Sequence, residues 1–196
     1  MTPAVYGSLL GAVAFWGVVL GWELLEWRQY RLEARDAADV DRDRGSGRLV
    51  NLVTWTAIPG AFALAHLDVG RIPGNRWLVY GIGLGLLVAG VVFRQWAVQV
   101  LGRHFRRRVT IQAGHQVIRS GPYHVLRHPA YAGALVAVTG IGIAYGSWPA
   151  LALCVLPTVA VLVYRIRVEE AALEHALGAA YRDYEGATAR LLPGIW

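Results

Sequence analysis

Five apolar runs, most of them near the length of a bilayer-crossing helix, constrain this chain more than any other feature. A helix needs roughly 20 mostly apolar residues to cross the hydrocarbon core. The first run, Val5 to Leu25, closes on Trp22, Glu23, Glu26 and Trp27, an aromatic and charged border of interfacial type. The second, Leu49 to Val69, holds Pro59-Gly60, where a kink is expected. The third runs from Trp77 to about Leu101, with Arg94 near its end, and Gly81 and Gly85 offer it a small-xxx-small face for close packing. Ala130 to Tyr145 and Trp148 to Val163 are parted by Gly146-Ser147 and read as a tight hairpin of tilted or partly embedded helices. The last segment, Arg165 to Tyr184, is amphipathic, with Leu173, Leu177 and Tyr181 on one face. The expected fold is all-α: an integral membrane helical bundle of about five transmembrane helices in a single domain over 1–196. Three spans fall in 5–101; the hairpin, a polar loop and a C-terminal helix fall in 102–196.

Charge sets the expected orientation. Only 16% of residues are charged, against about a quarter in soluble domains, and the formal charge is +6 with arginine as the sole cation besides histidine. A basic excess in so apolar a chain suits cytoplasmic loops and lipid phosphates; the basic, aromatic-studded soluble face of a nucleic-acid binder is missing. Arg28–Arg48 holds six arginines, Gly70–Arg76 two, Gly102–Pro129 six, the hairpin turn none and the C-terminal segment four. Arginine-rich segments stay inside. The alternation places the N-terminus outside and the C-terminus, with the long loop, on the cytoplasmic side, and a bacterial inner membrane suits the compact arginine-only chain. The N-terminal run lacks a preceding basic region and reads as a retained helix, not a signal peptide. Cys154 reads as a small apolar filler.

The stretch Gly102–Pro129 carries four of the six histidines (His104, His115, His124, His128) and no Asp or Glu. Its arginines Arg106, Arg107 and Arg108 suit a basic interfacial loop. Gly121-Pro122-Tyr123 and Arg127-His128-Pro129 need more than that. Gly-Pro makes a tight turn, and Pro129 suits the first turn of a helix whose N-terminus then lies beside His128 and Tyr131. His124 and His128 lie four apart, but Pro129 interrupts a helix that would carry both, so no metal site is expected. Glu169 and Glu170 follow directly on an apolar run, where carboxylates are costly unless paired or functional. Glu174 and Arg182 read as solvated surface.

The order His115, Gly121-Pro122-Tyr123, Arg127-His128-Pro129-x-Tyr131-x-Gly133, a helical hairpin, Glu169-Glu170-x-x-Leu173, then Leu177-Gly178-x-x-Tyr181-x-x-Tyr184 resembles the isoprenylcysteine carboxyl methyltransferase family, itself related to the membrane phospholipid N-methyltransferases. The resemblance covers about Arg94 to Pro193. It implies that the loop and the segment after the hairpin enclose S-adenosylmethionine, with S-adenosylhomocysteine as product. It implies cofactor roles for His115, Gln116, Val117, Ile118, Tyr123, His128, Pro129, Ala130, Tyr131 and Glu169. It also implies that Arg165 meets the substrate carboxylate. The chain departs from the family where Ala189 replaces a proline before Arg190-Leu191-Leu192-Pro193, and where the stretch before His115 is short, leaving Thr110 or Gln112 as the match for a cofactor-contacting glutamine. Five spans are fewer than in the eukaryotic members.

The resemblance makes this an S-adenosylmethionine-dependent methyltransferase of a lipophilic acceptor, with Arg165, Glu169 and Glu170 as the catalytic set. The donor's amine suits Glu169 or Glu170, and its carboxylate suits the groups around Arg127-His128. A carboxylate acceptor is ionised at neutral pH and needs no base, whereas an amine acceptor would need Glu170 or a loop histidine. Carboxyl O-methylation of an isoprenoid-like or prenylcysteine-like molecule is the preferred reading. Phospholipid N-methylation is the enzymatic alternative. A non-catalytic membrane scaffold or lipid-binding protein is another, and it leaves the Pro-Tyr and His-Pro motifs unexplained.

Overall fold

A computed structural model describes residues 7–33, 40–41, 45–67, 69–102, 110–111, 117–194 and 196. Helices dominate: α1 (Leu9–Glu33), α2 (Ser46–His66), α3 (Arg76–Leu101), α4 (Pro129–Ala144), α5 (Trp148–Leu177) and α6 (Ala179–Ala187). A 3-10 turn spans Gly121–His124. α1, α2, α3 and α5 are each long and apolar enough to cross a membrane. α4 is apolar but has 16 residues, about 24 Å. The hairpin expected from Gly146-Ser147 is α4 followed by α5.

Two features differ from the sequence reading. First, the amphipathic segment is not a separate helix from Arg165 onward: α5 continues through it for 30 residues to Leu177. The break comes at Gly178, whose φ of 55° and ψ of −124° favour glycine. Arg165, Glu169 and Glu170 therefore ride on the rigid extension of a membrane helix. Second, a minimal antiparallel ribbon pairs β1 (Val40–Asp41) with β2 (Thr110–Ile111), tying the two arginine-rich loops together.

α4 lies against α3 so closely that their backbones touch. The close-packing glycines are not Gly81 and Gly85, beside which a Cβ would meet nothing within 4 Å. They are Gly83 and Gly90, where an added Cβ would strike the backbone of α4 at Ala144, Gly140, Ala137 and Gly133. Gly133 and Gly140 reciprocate against Arg94 and Leu87. Seven-residue spacing keeps each pair on one side of its helix, and lipid offers little drive for helix association beyond such fit. The main core joins Phe15, Ala61, Leu87, Ile141 and Cys154, drawn from α1 to α5. Leu10, Leu20, Leu52, Val92 and Leu156 face outward, as lipid-facing positions require.

One buried charge pair crosses this apolar interior. Arg94 of α3 donates through Nε and Nη2 to Glu26 Oε1 and Oε2 of α1, at 2.6 and 2.9 Å, and through Nη1 to the Ala130 carbonyl of α4 at 3.1 Å. Trp22 Nε1 donates to the same carboxylate at 3.1 Å. A bidentate geometry with further hydrogen bonds is what lets a buried pair offset its desolvation.

Candidate active site

The chain enters α4 through Tyr123, Arg127 and His128. Pro129 occupies the first helical turn, where its missing N–H is no loss. The approach is held by the C-terminal tail. Arg127 N donates to the Ala189 carbonyl at 2.8 Å, His128 N to the Arg190 carbonyl at 3.1 Å, and Ala189 N back to the Val125 carbonyl at 3.0 Å. Tyr184 of α6 adds a bond from its hydroxyl to the Tyr123 carbonyl at 2.8 Å. Residues sixty positions apart thus frame the start of α4.

α5 brings Arg165, Glu169 and Glu170 to the same place. Glu169 Oε2 accepts from the Tyr131 hydroxyl at 2.6 Å, and that hydroxyl accepts from Arg165 Nε at 2.7 Å. Tyr131 thereby bridges Arg165 to Glu169, although the two lie one turn apart on the same helix. Arg165 also donates through Nη1 to Ser46 Oγ at the start of α2, at 2.9 Å, and is 3% exposed. The His128 ring stacks on the Tyr131 ring, with centroids 5.5 Å apart and planes within 10°.

The two adjacent glutamates occupy different environments. Glu170 is buried: Oε1 accepts from Arg127 Nε at 2.9 Å and lies 3.3 Å from His128 Nε2, while Oε2 accepts from Arg190 Nε at 2.8 Å. Glu169 keeps 29% of its side chain exposed, with His128 Nδ1 3.9 Å from its Oε2. Arg127 is committed as well, donating through Nη1 to the carbonyls of Glu185 and Thr188. Burial, and then the nearby Glu169 carboxylate, push the Tyr123 hydroxyl far above the ordinary tyrosine range. Burial, followed by Glu170 and Glu169, does the same to Tyr181, whose buried hydroxyl has no hydrogen-bond partner.

Of the residues singled out from sequence, Tyr123, His128, Pro129, Ala130, Tyr131, Arg165, Glu169 and Glu170 converge. Val117 and Ile118 are half-buried ahead of the 3-10 turn. His115 and Gln116, with His104 and Gln112, lie outside the described residues, and Thr110 lies in β2. His124 is exposed. Among the described residues no group of three potential metal ligands forms. Glu174 and Arg182 make an exposed pair at 3.4 Å. Sequence reasoning missed Ser46, the Glu26–Arg94 pair and the clasp of Arg127 and Arg190 on Glu170. Only Glu26 and Arg94, charges inside or beside apolar runs, carried a signal.

Fold and site together define a class: an integral membrane helical bundle with a cluster of polar side chains at the end of a helical hairpin, built around a partly exposed carboxylate and held by the C-terminal tail. Residues 83–175 match the model of the isoprenylcysteine carboxyl methyltransferase (ICMT) family. An uncharacterized protein of Bacillus subtilis (strain 168), YpbQ, is 29% identical over 108 residues, 55% of this chain and 62% of that protein. A probable protein-S-isoprenylcysteine O-methyltransferase of Oryza sativa subsp. indica is 30% identical over 110 residues, 55% of this chain and 58% of that one. Protein-S-isoprenylcysteine O-methyltransferase A of Arabidopsis thaliana is 26% identical over 132 residues, covering 65% and 67%. The chain thus spans about three fifths of the first two relatives. The structure of the eukaryotic intramembrane Ras methyltransferase ICMT shares the fold, with a TM-score of 0.61 at 22% identity over 74% of this chain and 52% of that one.

Proposed function

We propose that this protein is a membrane methyltransferase that uses S-adenosylmethionine to methylate a carboxylate on an isoprenoid-like or prenylcysteine-like acceptor. The match to the family model over 83–175 and the names of the plant relatives support the reaction class. The observation that carries the assignment of roles is the unequal setting of Glu169 and Glu170.

S-adenosylmethionine supplies an electrophilic methyl on a sulfonium, beside an ammonium that calls for a carboxylate. The residues fit this group: Glu169 is half-exposed, and Tyr181 leaves a buried hydroxyl without a partner nearby. Glu169, oriented by Tyr131, binds the ammonium. Glu170 does not, because two arginines and His128 already occupy its oxygens. For the same reason Glu170 is a poor base: taking a proton would undo those contacts. With Glu170 so engaged, an acceptor amine would have to take its base from a loop histidine, whereas a carboxylate needs none. Arg165 draws the acceptor carboxylate toward the site and holds Tyr131 in place. Holding donor and acceptor in line supplies much of the rate gain in a displacement of this kind.

The test is calorimetric titration of S-adenosylmethionine and S-adenosylhomocysteine into purified protein, beside Glu169→Gln and His128→Ala. Saturable binding weakened by both substitutions is expected; its absence from folded, monodisperse protein, with or without added lipid, would overturn the proposal. Arg165→Ala should harm acceptor turnover far more than cofactor binding. The product should be labile to mild base, as an ester is and a methylated amine is not.

A further inference from the structure

α6 turns two tyrosines inward, and only one of their hydroxyls is satisfied. The helix starts at Ala179, directly after Gly178 ends α5, and Tyr181 and Tyr184 follow one turn apart with ring centroids at 6.1 Å. Tyr181 is 3% exposed and Tyr184 4%. The Tyr184 hydroxyl donates to the Tyr123 carbonyl at 2.8 Å and so has a structural task. The Tyr181 hydroxyl is buried and has no hydrogen-bond partner. A buried donor left without an acceptor costs free energy, and a phenylalanine would fill the same space without that cost. The carboxylates of the site do not relieve it. Both Glu170 oxygens are held by Arg127, His128 and Arg190, and Glu169 Oε2 is held by Tyr131. Yet Tyr181 sits within reach of their charge: after burial, Glu170 and Glu169 raise its pKa most, so the proton stays on the oxygen and the group remains a donor. The loop ahead of the 3-10 turn passes over the same helix. Arg119 Nη2 donates to the Ala180 carbonyl at 3.3 Å, and its guanidinium carbon lies 5.6 Å from the Tyr184 ring centroid.

We propose that the Tyr181 hydroxyl is a cofactor-binding group that donates its hydrogen bond to the carboxylate of bound S-adenosylmethionine. The inference rests on the methyl-transfer reading above, in which Glu169 takes the ammonium. Ammonium and carboxylate sit on one carbon of the donor, so the group that takes the carboxylate must also lie near Glu169. The arginines around Glu170 are committed: Arg127 Nε and Arg190 Nε donate to Glu170, and Arg127 Nη1 donates to the carbonyls of Glu185 and Thr188. A neutral hydroxyl that keeps its proton and lacks an acceptor fits a carboxylate oxygen, and a bond to that charged oxygen is of the stronger kind. Ligand binding then removes the penalty that the empty protein carries. One hydroxyl therefore lowers the stability of the empty site and raises the affinity of the filled one.

Full-length Tyr181→Phe and Tyr184→Phe are compared with wild type in detergent, by melting without ligand and by calorimetric titration. The two ligands are S-adenosylhomocysteine and its decarboxylated analogue, which keeps the ammonium and lacks the carboxylate. Empty Tyr181→Phe should melt at or above the wild-type temperature, yet bind S-adenosylhomocysteine roughly tenfold or more weaker, the loss expected for a hydrogen bond to a charged group. It should bind the decarboxylated analogue as wild type does, whereas Glu169→Gln should weaken both ligands. Tyr184→Phe should melt lower, because it breaks a bond already made. A role in packing alone gives the opposite for Tyr181→Phe: a lower melt or failure to fold, and equal proportional losses for the two ligands. Either result would overturn the inference, and so would equal affinity of the wild type for the two ligands. Wild-type binding that Glu169→Gln weakens and Tyr181→Phe leaves unchanged would remove Tyr181 alone. Folded wild-type protein that binds neither ligand would sink the methyl-transfer reading, and the inference with it.

Discussion

Neutralising the two neighbouring glutamates one at a time should separate binding from stability. In Glu170→Gln, Arg127 keeps its carbonyl partners but loses its counter-charge at 2.9 Å, and Arg190 loses its own at 2.8 Å. Removing one partner of a buried pair costs about 3–5 kcal/mol. The Arg190 side chain is 36% exposed and adds little, so about 3 kcal/mol is expected. For a chain of this size that lowers the melting temperature by roughly 6–12 °C. In Glu169→Gln the Tyr131 hydroxyl can still donate to the amide oxygen, so the melt should move by no more than about 2–4 °C, the equivalent of ~1 kcal/mol. What it loses is charge on the half-exposed side. A charge-assisted hydrogen bond contributes about 1.5–3 kcal/mol, so S-adenosylhomocysteine affinity should fall roughly 10- to 150-fold. Differential scanning fluorimetry and calorimetric titration of both variants below their melting ranges read the two quantities. The reasoning fails if Glu170→Gln melts like wild type yet loses ligand affinity as Glu169→Gln does; Glu170 would then be a binding group and its arginines bystanders.

Further outcomes follow from packing and burial. Gly90→Val should destabilise by about 1–3 kcal/mol or more, because its side chain strikes the α4 backbone, while Gly85→Ala should be neutral or gain up to about 1 kcal/mol; comparative melts decide. Arg94→Ala takes from Glu26 its buried counter-charge and should cost about 3–5 kcal/mol, with the Glu26→Gln/Arg94→Gln pair recovering part of the loss in a double-mutant cycle. Burial holds the Tyr184 hydroxyl up at about 12 against an ordinary value near 10. The unfolded chain therefore ionises first between pH 10 and 12, and stability falls as pH rises through that window. Tyr184→Phe should flatten this decline while lowering stability at neutral pH, because the bond to the Tyr123 carbonyl is gone.

Apolar run lengths and breakers determined much on their own. Pro129 set the start of α4, Gly146-Ser147 its turn into α5, and the Pro-Tyr, His-Pro and Glu-Glu motifs marked the residues that meet, because these signals are local in the chain. Tertiary structure alone decided three matters. Gly83 and Gly90, not Gly81 and Gly85, pack on α4, since every glycine in an apolar run looks alike until a neighbouring helix is placed. Glu169 and Glu170, identical in composition and adjacent in the chain, part company because successive helical residues point about 100° apart, one toward Tyr131 and partial exposure, the other toward Arg127 and Arg190. The Glu26–Arg94 pair joins residues 68 positions apart in sequence, and no local pattern records which distant charge a buried charge will meet.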